Sequence, residues 1–434
     1  MERIEYYDIA EPSVKVDLRT AVLSGTGSIN GLYMPVKLPR LPGSFFDRLR
    51  GMDLKEIALT VSARMFGNEI PEPDLYDIIS RALSFEIPLV RLDKGINVLE
   101  LFHGPTLAFK DTGARFMASL LEYFVGKDGN EVTVLVATSG DTGSAVAHAF
   151  SNCPGVQVVI LFPSGRVSKV QEQMLLPAAA NIHTLEVEGD FDDCQKIVKQ
   201  AFSDRALRER LNLISANSIN FARLFPQSFY YFKAVADLEK VQKPVVFSIP
   251  CGNFGNLTAG VMAQRMGLGV DRFIASCNSN HPVVTYLNTG IYSPGESVKT
   301  ITNAMDVGNP SNFPRLLELF GNRYDNFQGM ISGYWYNDGR TKDGIKELNS
   351  GYGYLADPHT AISYLGLRDY MSRHDCEGIF ISTAHPVKFE DVVELATGSK
   401  VPVPAPVEGL ANHSGHTLKM AASYDDIKDY LITL

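Results

Sequence analysis

Apolar and polar positions change their rhythm part-way along the chain. Up to residue 93 no strong alternation marks a strand, and two stretches, 55–66 and 73–85, carry apolar residues at helical spacing. Pieces containing proline and glycine, such as 38–44, punctuate them. Residues 1–93 are therefore expected to form a mainly helical N-terminal region. Beyond it, short β-branched runs alternate with helical stretches. Strands are predicted at 132–138, 156–162, 182–187, 245–249, 273–276 and 379–382. Small-residue turns at 139–143 and 251–256 follow two of these strands and lead into helices. This alternation predicts α/β architecture with parallel sheets in residues 94–434. In such sheets ligands bind beyond the carboxyl ends of the strands, where those turns lie.

Five segments carry candidate chemistry. In Phe109-Lys110-Asp111-Thr112-Gly113 an apolar approach ends at a lysine. A helix is expected to follow, capped by Asp111 or Thr112, with Phe116, Leu120 and Phe124 on one face. Apolar neighbours and a helix N-terminus both disfavour the ammonium form of Lys110, and a Schiff-base nucleophile must be neutral. On local sequence alone, a solvated lysine with a buried stem fits as well. Thr138-Ser139-Gly140-Asp141-Thr142-Gly143 concentrates hydroxyls and free N–H groups between a strand and a helix. It reads either as a carboxylate or phosphate site or as an ordinary capped turn. Gly252-Asn253-Phe254-Gly255-Asn256 could cradle a phosphate on its backbone, yet it matches neither a P-loop nor a dinucleotide fingerprint. Asn217, Ser218 and Arg223 place two hydrogen-bonding side chains near an arginine suited to a phosphate; a capped helix with a solvated arginine is the plainer alternative. Thr383 follows an apolar strand and could meet a heterocyclic nitrogen, or simply end the strand in a turn.

Composition narrows the field. The chain has 434 residues, 45% of them apolar and 21% charged, the mix of a globular protein of two to three domains. Its net charge of −9 argues against a nucleic-acid or anionic-membrane partner. Five scattered cysteines without a Cys-x-x-Cys pair fit a reducing compartment and disfavour a zinc site. His413 and His416 form the only close histidine pair and read as surface, so no metal is expected. Neither a leader nor a membrane span is apparent, and the protein is expected to be cytoplasmic.

Read together, the segments resemble the threonine synthase family. The likeness runs through Asn30-Gly31-Leu32-Tyr33, Phe109-Lys110-Asp111, the 138–143 and 217–223 runs, Gly252–Asn256, Pro310-Ser311-Asn312, Asp357-Pro358-His359 and Thr383-Ala384-His385-Pro386. Arg166 stands where lysine is common in relatives, which preserves the charge. The resemblance implies a fold-type II enzyme dependent on pyridoxal 5'-phosphate (PLP), with two α/β lobes. It implies that O-phospho-L-homoserine and water give L-threonine and phosphate, with a monomer or homodimer as the assembly. It further implies that Lys110 carries the cofactor and that Gly252, Asn253, Phe254, Gly255 and Asn256 hold its phosphate. Thr383 would meet the pyridine nitrogen. Thr138, Ser139, Gly140, Asp141 and Thr142 would take the substrate carboxylate, and Asn217, Ser218 and Arg223 its phosphate. A dehydratase or cysteine synthase of the same fold would share the lysine and the glycine loop, but has no need of a second anion site. A non-catalytic PLP-binding homologue would be expected to lack Lys110 or Thr383, and both are present.

Overall fold

A computed structural model describes all residues except 1–2, 25–30, 130, 166, 168, 239–242 and 410–416. Asn30, Arg166, His413 and His416, singled out in the sequence, lie outside the described residues.

Three sheets organise the described residues. Near the N-terminus β1 (Tyr6–Asp8), β2 (Glu11–Val16) and β3 (Tyr33–Pro35) pair antiparallel in the order β2-β1-β3. The hydropathy pattern misses this sheet because two of its strands have three residues and β2 is almost wholly exposed, so no alternation builds up. The two predicted helices of this region are present as Leu54–Phe66 and Glu72–Ala82. The first starts on a reciprocal cap between Asp53 and Glu56; the second stops three residues earlier than expected.

Strands β4 (Leu89–Asp93) and β5 (Ile96–Glu100) open a larger sheet. The chain then builds a smaller one from β6 (Val132–Ala137), β7 (Val156–Pro163), β8 (Ile182–Glu188) and β9 (Leu213–Ser215). It returns to the larger sheet with β10 (Val245–Pro250), β11 (Arg272–Cys277), β12 (Ile331–Trp335) and β13 (Glu377–Ser382). Finally β14 (Thr417–Ala421) joins the edge of the smaller sheet. The orders are β12-β11-β10-β13-β5-β4 and β14-β8-β7-β6-β9, all parallel except the β4–β5 pair. The predicted α/β class with two parallel sheets is thus the observed one.

This topology positions the site. In the larger sheet β5, β13 and β10 are neighbours, with Ser382 level with Glu100. Beyond their carboxyl ends come the segments bearing Lys110, Thr383 and the 252–256 loop. In the smaller sheet β6 and β9 are neighbours, and beyond them come the 138–143 and 217–223 runs. All five candidate segments therefore leave the carboxyl ends of strands, as parallel sheets favour.

The N-terminal helices are welded to this framework. Phe66 packs at 6.2 Å from Phe116 of the helix Lys110–Asp128, and at 5.2 Å from Phe225, between ring centroids. All five cysteines are free and buried. Among the described residues no helix is long and apolar enough to cross a membrane, and no cluster of three or more His, Cys, Asp or Glu side chains could hold a metal.

Candidate active site

Lys110 is the first residue of its helix, and its backbone position is tightly set. Leu107 takes a left-handed conformation (φ 56°), and a bridge joins Ala108 to Ala384. The Phe109 N–H donates to the Thr383 carbonyl at 2.8 Å. Lys110 and Thr383 are thereby held next to each other. The expected caps are a correction: Phe109 is the N-cap and offers no side-chain acceptor. The Asp111 carboxylate instead turns back and accepts from the Thr106 N–H (2.9 Å) and hydroxyl (2.7 Å), bracing the approach to the lysine. Phe116, Leu120 and Phe124 are buried together on one face, as their spacing predicts.

The lysine side chain is 16% exposed. Burial pushes it down to about 8 from its ordinary value; Asp141 opposes the shift, while Lys388 and Arg223 add to it. A neutral amine is thus accessible near physiological pH, as the apolar approach and helix start suggested.

The 138–143 turn sits across from it. Thr138 points inward, its hydroxyl accepting from the Gly140 (3.0 Å) and Gly143 (2.8 Å) N–H groups. Gly140 has φ 137°, and a Cβ there would lie 2.7 Å from the Gln171 side chain, so glycine is required. Ser139 and Thr142 stay half-buried on the open side. Asp141 is buried; its Oδ1 accepts from Lys388 Nζ (2.7 Å) and Gln171 Nε2 (3.0 Å), and its Oδ2 lies 3.9 Å from Lys110 Nζ. Burial opposes its ionisation, but Lys388, Lys110 and Gln171 outweigh burial and hold the carboxyl well below the usual carboxylate range. A carboxylate so committed to lysines is poorly suited to touching a second carboxylate.

The 252–256 loop and the 217–223 run meet. A Cβ on Gly255 would lie 3.2 Å from Ser218 Cβ. Phe254, in left-handed conformation (φ 61°), caps the helix Gly255–Arg265 without a side-chain acceptor; the Leu257 N–H donates to Asn256 Oδ1 at 2.9 Å, and the N–H groups before it can face an anion. The side chains of Asn253 and Asn256 point elsewhere: Asn253 Oδ1 accepts from Ser311, and Asn256 Nδ2 donates to the Pro250 carbonyl at 2.8 Å. The backbone of this loop, with Gly252 and Gly255 among it, can cradle a phosphate. Ser218 Oγ accepts from Asn312 at 3.0 Å, and Asn217 is half-buried beside it.

Arg223 closes the ring. A Cβ on Gly113 would come within 2.7 Å of the Arg223 carbonyl and 3.4 Å of its Nε, so the arginine lies against the first turn of the Lys110 helix. It is 5% exposed, and its Nη1 has no hydrogen-bond partner among the described residues. Burial lowers its pKa to about 10, which leaves it charged at neutral pH. A desolvated guanidinium with an unfilled donor is a place for an anion. The uncapped 252–256 turn is another. Two anion sites near a depressed lysine fit a phosphorylated cofactor and a phosphorylated substrate.

Sequence reasoning missed three supporting side chains. Lys388 is fully buried, and its only sequence signal is a lysine inside the apolar Pro386-Val387-Lys388-Phe389 stretch. Arg315, also fully buried, donates to the carbonyls of Tyr33 (3.1 Å), Ser218 (3.0 Å) and Ile219 (2.7 Å) and so ties the N-terminal region to the anion run. Asn312 holds Ser218. Asp357, by contrast, caps the helix Pro358–Met371 with proline in its first turn, as its sequence indicates.

Comparisons with known proteins agree along the whole chain. A family described as pyridoxal-phosphate dependent enzyme matches residues 86–379, threonine synthase N terminus matches 5–83, and threonine synthase, C-terminal matches 360–431. A threonine synthase from Serratia marcescens is 40% identical over 99% of this chain and 100% of its own. The crystal structure of threonine synthase from Escherichia coli superposes with a TM-score of 0.92 at 40% identity, covering 99% of both chains. The PLP-bound threonine synthase from Brucella melitensis gives 0.93 at 33% identity, covering 99% of this chain and 98% of that one.

Proposed function

Since the chain belongs to the threonine synthase family, we propose that its Lys110 amine holds the cofactor and that the loops around it bind a phosphorylated amino acid. The chain is a PLP-dependent lyase that converts O-phospho-L-homoserine and water to L-threonine and phosphate, the last step of threonine biosynthesis. The observation that carries the residue assignment is the buried Arg223 with its unfilled donor, set against the Lys110 helix.

When bound, PLP supplies the electron sink that makes protons next to the substrate's amino group removable. The protein residues do the rest. Lys110 takes and returns protons at the substrate carbons, a task suited to an amine whose pKa is about 8. The backbone of Gly252, Asn253, Phe254, Gly255 and Asn256 receives the cofactor phosphate, and Thr383 offers its hydroxyl to the pyridine nitrogen. Ser139, Thr142 and the backbone at Gly140 hold the substrate carboxylate. Thr138 shapes that turn from inside, and Asp141 acts on the lysines rather than on substrate. Asn217, Ser218 and Arg223 take the substrate phosphate and stabilise it as it leaves Cγ. We read the protein as a cytoplasmic monomer or homodimer that takes no nucleic acid, a reading supported by its net charge of −9.

The test is phosphate release and threonine formation from O-phospho-L-homoserine, with L-serine and L-threonine run as rival substrates. Turnover only of the rivals would replace this reading with a dehydratase. Substantial turnover by Lys110→Ala would remove Lys110 from its role.

A further inference from the structure

We propose that Lys388 is a positioning residue: it fixes the Asp141 carboxylate across the gap between the two sheets and so denies Lys110 a full counter-ion, which lets Lys110 give up its proton more readily. Lys388 lies in the turn Pro386–Phe389 after β13 of the larger sheet, and Asp141 opens the helix Asp141–Phe150 after β6 of the smaller one. Their 2.7 Å contact therefore joins the lobes beside the site. Lys388 also donates to the Thr106 carbonyl at 2.8 Å, and Thr106 is the residue that holds Asp111.

The carboxylate is divided unequally. Oδ1 is occupied by Lys388 and Gln171, whereas Lys110 stands 3.9 Å from Oδ2, outside hydrogen-bond range. Four cations, Lys110, Lys388, Arg223 and Arg115, face two carboxylates, Asp141 and Asp111. With all six ionised, the pocket carries an excess positive charge. Arg223 keeps its proton, since even a desolvated guanidinium titrates at about 10, so the cheapest relief is loss of a proton from the lysine with the poorer partner, Lys110. Burial acts on Lys110 in the same direction.

The inference rests on Lys110 being the cofactor's amine, but its test needs no cofactor. In the full chain freed of cofactor, lysines labelled with carbon-13 at the ε position are titrated by NMR. The Lys110 signal is assigned by its loss in Lys110→Ala. In Lys388→Met, Asp141 becomes available to Lys110 and a repelling charge is gone. The Lys110 midpoint should rise by about one pH unit or more, equivalent to a roughly tenfold loss of neutral amine below it. Lys388→Gln, which keeps hydrogen-bond donors but no charge, should shift it in the same direction and covers failure of the methionine variant to fold. Adding Asp141→Asn to Lys388→Met should bring the midpoint back down. A folded Lys388 variant with an unmoved Lys110 midpoint would reduce Lys388 to a structural role and overturn the proposal.

Discussion

At the scale of single residues, charge in this site follows from what each group can reach. Lys110 has desolvation against it, two cations nearby and one carboxylate that another lysine already holds. With its pKa pushed down to about 8, the ammonium dominates below that pH and the amine above it. The rate at which cofactor-free protein captures PLP should therefore climb about tenfold per pH unit up to about 8 and level off beyond, read from growth of the visible absorption band. The same shift bears on stability. Between about 8 and the unfolded value near 10.4, the unfolded chain binds more protons at this residue than the native chain does, so its penalty on cofactor-free protein is relieved as pH rises through that window. Arg223 makes a second prediction. A charge-assisted bond to phosphate contributes about 1.5–3 kcal/mol, so Arg223→Gln should raise KM for O-phospho-L-homoserine roughly ten- to a hundredfold. Its visible band should be retained; loss of cofactor instead would move Arg223 to the cofactor phosphate.

At the scale of elements, the Lys110 helix shows how packing overrides propensity. It contains Gly113 and Gly126 within Lys110–Asp128. Alanine is favoured over glycine in a helix by about 1 kcal/mol. Around Gly126 a Cβ would meet nothing within 4 Å, so Gly126→Ala should stabilise by up to about 1 kcal/mol. At Gly113 the same methyl would meet the Arg223 carbonyl at 2.7 Å. Gly113→Ala should therefore destabilise by about 1–3 kcal/mol and weaken substrate binding, because backbone must move. Denaturant midpoints of the two variants should shift in opposite directions. The helix itself was legible from Phe116, Leu120 and Phe124, but not its cap, since Asp111 is recruited by Thr106 in the preceding turn.

At the scale of the whole molecule, the residues expected to form a separate N-terminal region share a core with the rest. Strand β4, inside residues 1–93, pairs with β5 in the larger sheet. Phe66 is 2% exposed and packs on both Phe116 and Phe225. Phe66→Ala is expected to cost about 3–5 kcal/mol. Because that core is continuous, thermal unfolding should shift as one transition rather than release the N-terminal region first. A separate early transition in calorimetry would show that this region melts by itself. Arg315, donating to Tyr33 on one side and to Ser218 and Ile219 on the other, gives that coupling a route to the anion site.

Periodicity was enough to determine the parallel α/β class and most of its longer strands, and the ordered motifs carried the resemblance that implied the family and the reaction. Those properties are written in local hydropathy and in short turns whose residue types suit anions wherever the chain puts them. What lay beyond them was decided in three dimensions. The small antiparallel sheet has strands too short and too exposed to leave a pattern. Lys388 reads as one more surface lysine until the fold buries it against Asp141 from the other lobe. Asp141, expected beside the substrate carboxylate, gains Lys388 at 2.7 Å and Lys110 at 3.9 Å, neighbours that its own segment does not announce. A charged side chain's role depends on which charges the tertiary structure brings within a few ångströms and how much water it removes, and neither quantity is local in sequence.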